Sequence, residues 1–306
     1  MNDFKKIMST QEYDKQFWNA MRMDTDAEAV LRSVLPVNSD AFFAPAGVRE
    51  AIARESVVRS IAANLKKYGG GSTIWAADSD DYAAFVPEND PVPGLDAEED
   101  FSRFPVVDHK IAALFKVSSE FVGDANFDLG RYLSARMGES FARTEDRAFI
   151  HGDGASEPFG LLHATEGAET GVATAEPTYD SVIDLFFSVE SKYRSHAVWL
   201  MNDRTALVLR KMKDNAGNYL WNSANDTILG KPVRVCREMP DIEAGAKPVL
   251  FGDFSYYWIV DRSPVSVKVL KERFAQTGLV GYIGFERLDA RLVRKNAVKA
   301  LAILAD

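Results

Sequence analysis

Residues 126–162, NFDLGRYLSARMGESFARTEDRAFIHGDGASEPFGLL, limit the possible folds more than any other stretch. Leu129, Leu133, Met137 and Phe141 recur every fourth residue with Tyr132 beside them, and side chains at that spacing share one helix face. Asn126 or Asp128 can accept from the free amides of a first turn. The pattern predicts a long amphipathic helix over about residues 127–150. Gly152, Asp153, Gly154 and Pro158 then turn the backbone where a helix cannot continue.

The N-terminal part reads as an arm. Ser9 and Glu12 have capping-box spacing, and Tyr13, Phe17, Trp18 and Met21 give a short helix an aromatic face. Thr25 and Glu28 repeat the signal ahead of Val30 and Leu31. Helices this short are unstable alone, so their apolar faces need cover, from the body or from another chain. Between residues 44 and 68 a further helical pattern runs through Val48, Ile52, Val57, Val58, Ile61 and Leu65.

Residues 69–105 differ from everything around them. Gly69, Gly70 and Gly71 open the segment; Ile74, Trp75, Tyr82, Phe85 and Val86 suggest strands; Pro87, Pro91, Pro93 and Gly94 interrupt them. Asp78, Asp80, Asp81, Glu88, Asp90, Asp96, Glu98, Glu99 and Asp100 stand here with no Lys or Arg between Tyr68 and Ser102. So acidic a segment, hinged by glycines, is ill suited to a monomer's interior and reads as a long projecting hairpin.

Beyond it, residues 104–121 alternate as a strand, and residues 165–176 read as a linker. Residues 179–193 read as a helix, 197–201 as a buried strand, and Asp203 as the cap of the helix carrying Ala206, Leu207, Leu209 and Met212. Strands are expected at 228–236, on both sides of Gly252 and Asp253, and at 265–270, with one or two more in the closing GFERLDARLVRKNAVKALAIL. Helices and strands mix without regular βαβ alternation, which predicts α+β.

The net charge of -9 argues against general nucleic-acid binding, though not against a local basic patch. Cys236 is alone, so no intrachain disulfide forms, and a buried inert thiol is the expected role. The N-terminal residues hold no apolar run of signal or membrane-spanning length, so a cytosolic protein with no membrane partner is expected. His109, His151, His163 and His196 lack metal-binding helical spacing. His151 with Asp153 is the one pair resembling an active-site turn, yet no nucleophile elbow accompanies it and the nearby glycines are explained by stopping the helix. Gly230-Lys231 fails as a phosphate loop, because Pro232 replaces the hydroxyl that would bind magnesium. No catalytic residue, cofactor or metal is therefore assigned.

A charge separation remains. Opposite the acidic segment stands a basic C-terminal third with Arg262, Lys268, Lys271, Arg273, Arg287, Arg291, Arg294, Lys295 and Lys299. Two ordinary solvated surfaces would explain it. So would an acidic hairpin of one chain lying on the basic surface of the next, where complementary fields guide encounter and register.

The order of these pieces resembles the major capsid proteins of tailed bacteriophages, with the Hong Kong 97 fold. EYDKQFWNAMR is similar to that family's N-arm, AFFAPAGVREAI to the start of its body, and NFDLGRYL with EDRAFIHGDGASEPFGLL to its spine helix and following turn. WLMNDRTALVLRKMKDNAGNYL, ILGKPVRV, VLFGDFSYYWIVDR and FERLDARLVRKNAVKALAIL follow in the family's order. The resemblance implies an N-arm at 1–45, an E-loop at 69–105, a P-domain at 46–68, 106–175 and 285–306, and an A-domain at 176–284. It implies a self-assembling subunit of an icosahedral phage or prophage head, built through pentamers and hexamers around double-stranded DNA. Scaffolding protein, portal and maturation protease are implied partners, and the virion head shell, assembled in the bacterial host cytoplasm, is the implied location. The expected subunit contacts are Trp75, Asp78, Asp80, Asp81, Tyr82, Phe85, Glu88, Asp90, Asp96, Glu98, Glu99 and Asp100, Phe17 and Trp18, and Arg287, Arg291, Arg294 and Lys295. Some members cross-link through an E-loop lysine; this segment has none, so the implied shell is non-covalent. An encapsulin-like compartment shell, and more remotely a hydrolase using His151 and Asp153, are the alternatives.

Overall fold

A computed structural model describes residues 7–34, 41–68, 71–77, 85–87, 101–124, 126–213, 219, 221 and 226–305. In chain order the elements are α1 (Gln11–Met21), α2 (Thr25–Val34), β1 (Ala41–Phe43), α3 (Ala46–Glu55), α4 (Val57–Ile61), β2 (Ala63–Lys66), β3 (Thr73–Ala77), β4 (Phe101–Pro105) and β5 (His109–Ser118). They continue with α5 (Ser119–Gly123), α6 (Leu129–His151), β6 (Glu169–Thr174), α7 (Tyr179–Ser188), α8 (Ser191–Arg194), β7 (Val198–Met201) and α9 (Asp203–Arg210). The last are β8 (Thr227–Ile228), β9 (Lys231–Val235), β10 (Val249–Gly252), β11 (Tyr257–Leu270), β12 (Leu279–Leu292) and β13 (Val298–Ile303).

The long helix α6 begins at Asp128, whose carboxylate accepts from the Arg131 amide. Leu129, Leu133, Met137 and Phe141 are fully buried along its predicted stripe, each contributing about 1.5–3 kcal/mol of burial. Gly138 lies on the crossing with α3, where a Cβ would meet the Ala51 Cβ at 3.0 Å and its backbone carbon at 3.1 Å. The helix propensity lost to glycine, about 1 kcal/mol, is the cost of that close approach.

A five-stranded sheet in the order β1-β11-β12-β5, with β2 beside β11, packs one face on α6. The N-terminal helices cover the same core: Tyr13, Phe17, Met21, Ala27 and Leu31 bury against α6 and this sheet. The arm is thus satisfied by the chain's own body. Thr10, not Ser9, caps α1, and Asp24, not Thr25, accepts from the first free amides of α2.

A six-stranded sheet in the order β6-β13-β10-β7-β9-β8 carries α7 and α9 on one side, over Trp199, Phe251 and Leu301. Its other side meets β11, β12 and the end of α6 through Leu200, Leu250, Tyr257, Phe149 and Leu288. The expected linker at 165–176 holds β6, paired parallel with β13. Its Gly- and Thr-rich sequence is that of an edge strand that takes register from a partner far along the chain. The expected strand at 265–270 is the end of β11, one strand of 14 residues bent by irregular register between Asp261 and Ser266. Asn202, one residue before Asp203, caps α9. Gly230, at φ 74°, and Leu229, at φ 49°, form the two-residue turn between β8 and β9, so the Gly-Lys pair is a hairpin device.

The sheets cut across the boundaries expected at 175/176 and 284/285: β12 spans the second, and β6 and β13 join β7 and β10. Pairing partners, not chain order, set these units.

Candidate functional site

The candidate site is a pair of surfaces rather than a pocket. The first is the hairpin base formed by β3 and β4, registered Trp75↔Arg103 and Ala77↔Phe101. Alternation puts Ile74 and Ala76 inward, with Ile74, Val106 and Phe104 packed on Val260, Trp258 and Leu65. Outward stand Trp75, 57% exposed, and Phe101, 50% exposed, with the Arg103 guanidinium 5.8 Å from the Trp75 ring centre. Phe85 is wholly exposed. Asp78, Asp80, Asp81, Tyr82, Glu88, Asp90, Asp96, Glu98, Glu99 and Asp100 lie outside the described residues.

The second surface is the sheet face opposite α6. Along β12, Asp289 and Arg291 are covered by the start of β5 and the hairpin base: Asp289 accepts from the Val107 amide at 2.8 Å, and Arg291 lies 5.5 Å from the Phe104 ring. Arg287, Phe285 and Ile283 continue this face beyond that cover, opposite Lys110, Ala112 and Leu114 of β5. Lys110, Ala112, Leu114, Lys116 and Arg287 are exposed. The Lys110 ammonium sits 4.9 Å from the Phe285 ring centre and the Lys116 ammonium 4.9 Å from the Phe274 ring centre, so both charges are held over aromatic rings on this face. Lys268 lies beside Ile283 on β11. Cations with an apolar floor suit an acidic segment carrying aromatic side chains.

Other expected contacts are used internally. Phe17 is fully buried in the chain's own core and has no surface to offer a neighbour. Trp18 packs edge-on to Phe17 and over Gly130, and its indole donates to Asp14 at 3.1 Å. Arg291 is stacked between Phe104 and Phe159, at 5.5 and 4.5 Å, tying the hairpin base to the turn after α6. Lys295 meets Glu166 at 3.3 Å. Arg294 is partly buried, which lowers its pKa. Of the four expected basic contacts, Arg287 is the one on the open face, and it also meets Asp108 at 3.9 Å.

The turn after α6 is built for structure. Nε2 of His151 is 2.7 Å from the Glu238 carbonyl, which makes that nitrogen a donor. The Asp153 carboxylate accepts from the amides of Glu157, Ala155 and Ser156 and from the Ser156 hydroxyl. Those donors hold its pKa well below the usual carboxylate range. Asp153 is occupied in closing the turn, and His151 ties the end of α6 to the Glu238 carbonyl. Cys236 is fully buried, and burial pushes its thiol up to about 12.

Beneath the open face lies an ionic cluster that joins β11 and β12 to α3, α4 and α6. Arg59 of α4 contacts both Glu145 oxygens at 2.5 and 2.7 Å and Asp261 at 3.0 Å. Arg49 of α3 meets Glu286 at 2.7 Å and Glu145 at 3.4 Å, and also pairs with Asp261. Arg59, Glu145, Asp261 and Glu286 are buried. Asp146 accepts from the Ser56 hydroxyl at 2.6 Å and from the Val57 and Val58 amides, so α6 adds to the N-terminal cap of α4, where Ser56 itself accepts from the Arg59 amide. The sequence carries a signal for this cluster: the four-residue series from Leu129 to Phe141 continues to Glu145, a charge on a buried stripe.

The family model for the phage capsid family matches residues 43–303. The chain belongs to the phage capsid family. As a capsid-family protein it is a structural shell subunit of a phage head, and its α+β fold is the Hong Kong 97-like capsid fold. The capsid of an empty GTA particle, computed with C5 symmetry, is similar at 28% identity and a TM-score of 0.68, over 82% of this chain and 90% of that one. A structure from Gordonia phage Cozz, at 16% identity and TM-score 0.57, covers 82% of this chain and 87% of that one. A virus-like particle from Pyrococcus furiosus, at 12% identity and TM-score 0.52, covers 84% and 96%. These last two share the fold. Comparison with curated protein sequences gives no match. The resemblance drawn from the sequence blocks is borne out, and the compartment-shell alternative is the less supported.

Proposed function

We propose that this capsid protein assembles through pentamers and hexamers into an icosahedral shell enclosing double-stranded DNA, with the acidic E-loop of one subunit lying on the cationic sheet face of the next. Residues 1–45 serve as the N-arm, folded back on its own body, and residues 69–105 as the E-loop. The five-stranded sheet with α6 serves as the P-domain, and the six-stranded sheet with α7 and α9 as the A-domain. Scaffolding protein, portal and maturation protease are the partners such a shell requires, and the bacterial host cytoplasm is where it is built. One observation carries the reading. Residues 78–100 hold nine acids and no cation, while the open face presents Lys110, Lys116, Lys268 and Arg287 around Ala112, Leu114, Ile283 and Phe285.

The double variant Lys110→Glu/Arg287→Glu tests it. Both side chains are exposed, so circular dichroism and the unfolding midpoint should stay near wild type. Particles seen by electron microscopy and light scattering should be lost, and wild-type assembly should slow as salt screens the attraction. Normal particles from the double variant would end the proposal. With no lysine in residues 69–102, assembled wild-type shells should run as single subunits on denaturing gels; a ladder of linked subunits would contradict a non-covalent shell.

A further inference from the structure

The buried cluster holds three carboxyl groups and two guanidiniums. Arg49 and Arg59 face Glu145, Asp261 and Glu286, leaving one negative charge in excess if all three acids ionise. Glu286 is fully buried, and its Oε1 has no hydrogen-bond donor among the described residues. Glu286 and Glu145 share one donor, the Arg49 Nη1 that is 2.7 Å from the former and 3.4 Å from the latter. An ionised Glu286 would be a buried, half-satisfied anion beside another anion, an arrangement proteins avoid by keeping a proton.

We propose that Glu286 keeps its proton at neutral pH and donates it to Glu145, making the cluster electroneutral, and that loss of this proton in alkaline solution loosens the junction of α3, α4, α6, β11 and β12. The charged groups facing Glu286 are Arg49 from α3, Arg59 from α4, Glu145 from α6 and Asp261 from β11, with Tyr68 near enough to feel the same charges. Burial, and then the Glu145 charge, hold the Glu286 carboxyl well above the ordinary range, whereas burial opposes and Arg59 outweighs it at Glu145, which is lowered. The folded state therefore binds a proton at Glu286 that the unfolded chain has released above about pH 4–5. This contribution to stability is full below the unfolded value and declines as pH rises toward the folded one. The proton adds a charge-independent donor to a junction of five elements, so its loss is felt where the helix crosses the sheet.

The test is the unfolding midpoint of the full-length chain as a function of pH, for wild type and Glu286→Gln. Glutamine keeps the neutral shape and a donor, so the part of the decline that Glu286 causes above about pH 4–5 should be present in wild type and lost in E286Q. What remains in E286Q is the alkaline decline that both proteins take from the buried Cys236 thiol and tyrosine hydroxyls. Infrared difference spectra between the two at neutral pH should show a protonated-carboxyl carbonyl band that E286Q lacks. Equal decline in both proteins, or no such band, would overturn the proposal. Should E286Q fail to fold, carbon-13 carboxyl NMR of wild type decides. A glutamate resonance holding its protonated position at about pH 7 supports the buried acid, and complete glutamate ionisation below about pH 6 removes it.

Discussion

Leucine in place of Arg59 is expected to lower the unfolding free energy by about 3–5 kcal/mol, the usual consequence of removing one partner from a buried charge network. Arg59 supplies two contacts to Glu145 and one to Asp261, and its head lies 5.8 Å from the Phe149 ring. Without it, Glu145 loses both close contacts to a cation and, among the described residues, keeps Arg49 at 3.4 Å as its cationic partner. The double replacement Arg59→Leu/Glu145→Met removes one charge of each sign and fills similar volume, so it should recover a substantial part of the loss. Denaturant unfolding measures both. A loss below about 1 kcal/mol for R59L would mean that the cluster does not hold the junction.

The second large effect is expected in the six-stranded sheet. Trp199→Ala should cost about 3–5 kcal/mol, the range for deleting a large buried aromatic side chain. Trp199 is fully buried, stacked on Phe251 with ring centres 4.1 Å apart, and its indole donates to the Ile228 carbonyl at 3.0 Å. Truncation opens a cavity between the sheet and its helices and leaves that carbonyl without its donor. Trp75→Ala provides the contrast. With 57% of Trp75 exposed, its loss should change folding stability by less than about 0.5 kcal/mol. Unfolding curves that rank the two tryptophans the other way would contradict the packing described.

The two tryptophans also show how unevenly the sequence displays its structure. Trp75 could be read as an exposed contact because it stands at the edge of an acidic, glycine-hinged segment. Trp199 could be read as buried because Val198, Leu200 and Met201 surround it in a short apolar run. Phe17 could not be sorted this way. Its helix is amphipathic whether its apolar face meets another chain or its own body, and only the contacts with α6 decide for the body. Arg291, Arg294 and Lys295 raise the same difficulty. A run of cations reads as a basic surface, yet Arg291 is sandwiched between Phe104 and Phe159 and Lys295 pairs with Glu166.

By itself the sequence determined the features that depend on neighbours within a few residues. These are the helix at Leu129–His151, the turn closed by Asp153, the strand through Ile74 and Trp75 ahead of the acidic segment and that segment's charge. Helix and strand periods, caps and net charge are local quantities, and residues close in the chain feel one another whatever the fold. The block order was enough to indicate the capsid family. Tertiary structure alone decided that residues 169–174 form a strand, since its partner is Val298–Ile303 at the far end of the chain. It alone decided which cations remain open on the sheet face, and it brought Arg49, Arg59, Glu145, Asp261 and Glu286 together from α3, α4, α6, β11 and β12. A buried charge is tolerable only when its partner arrives, and here each partner comes from a different element.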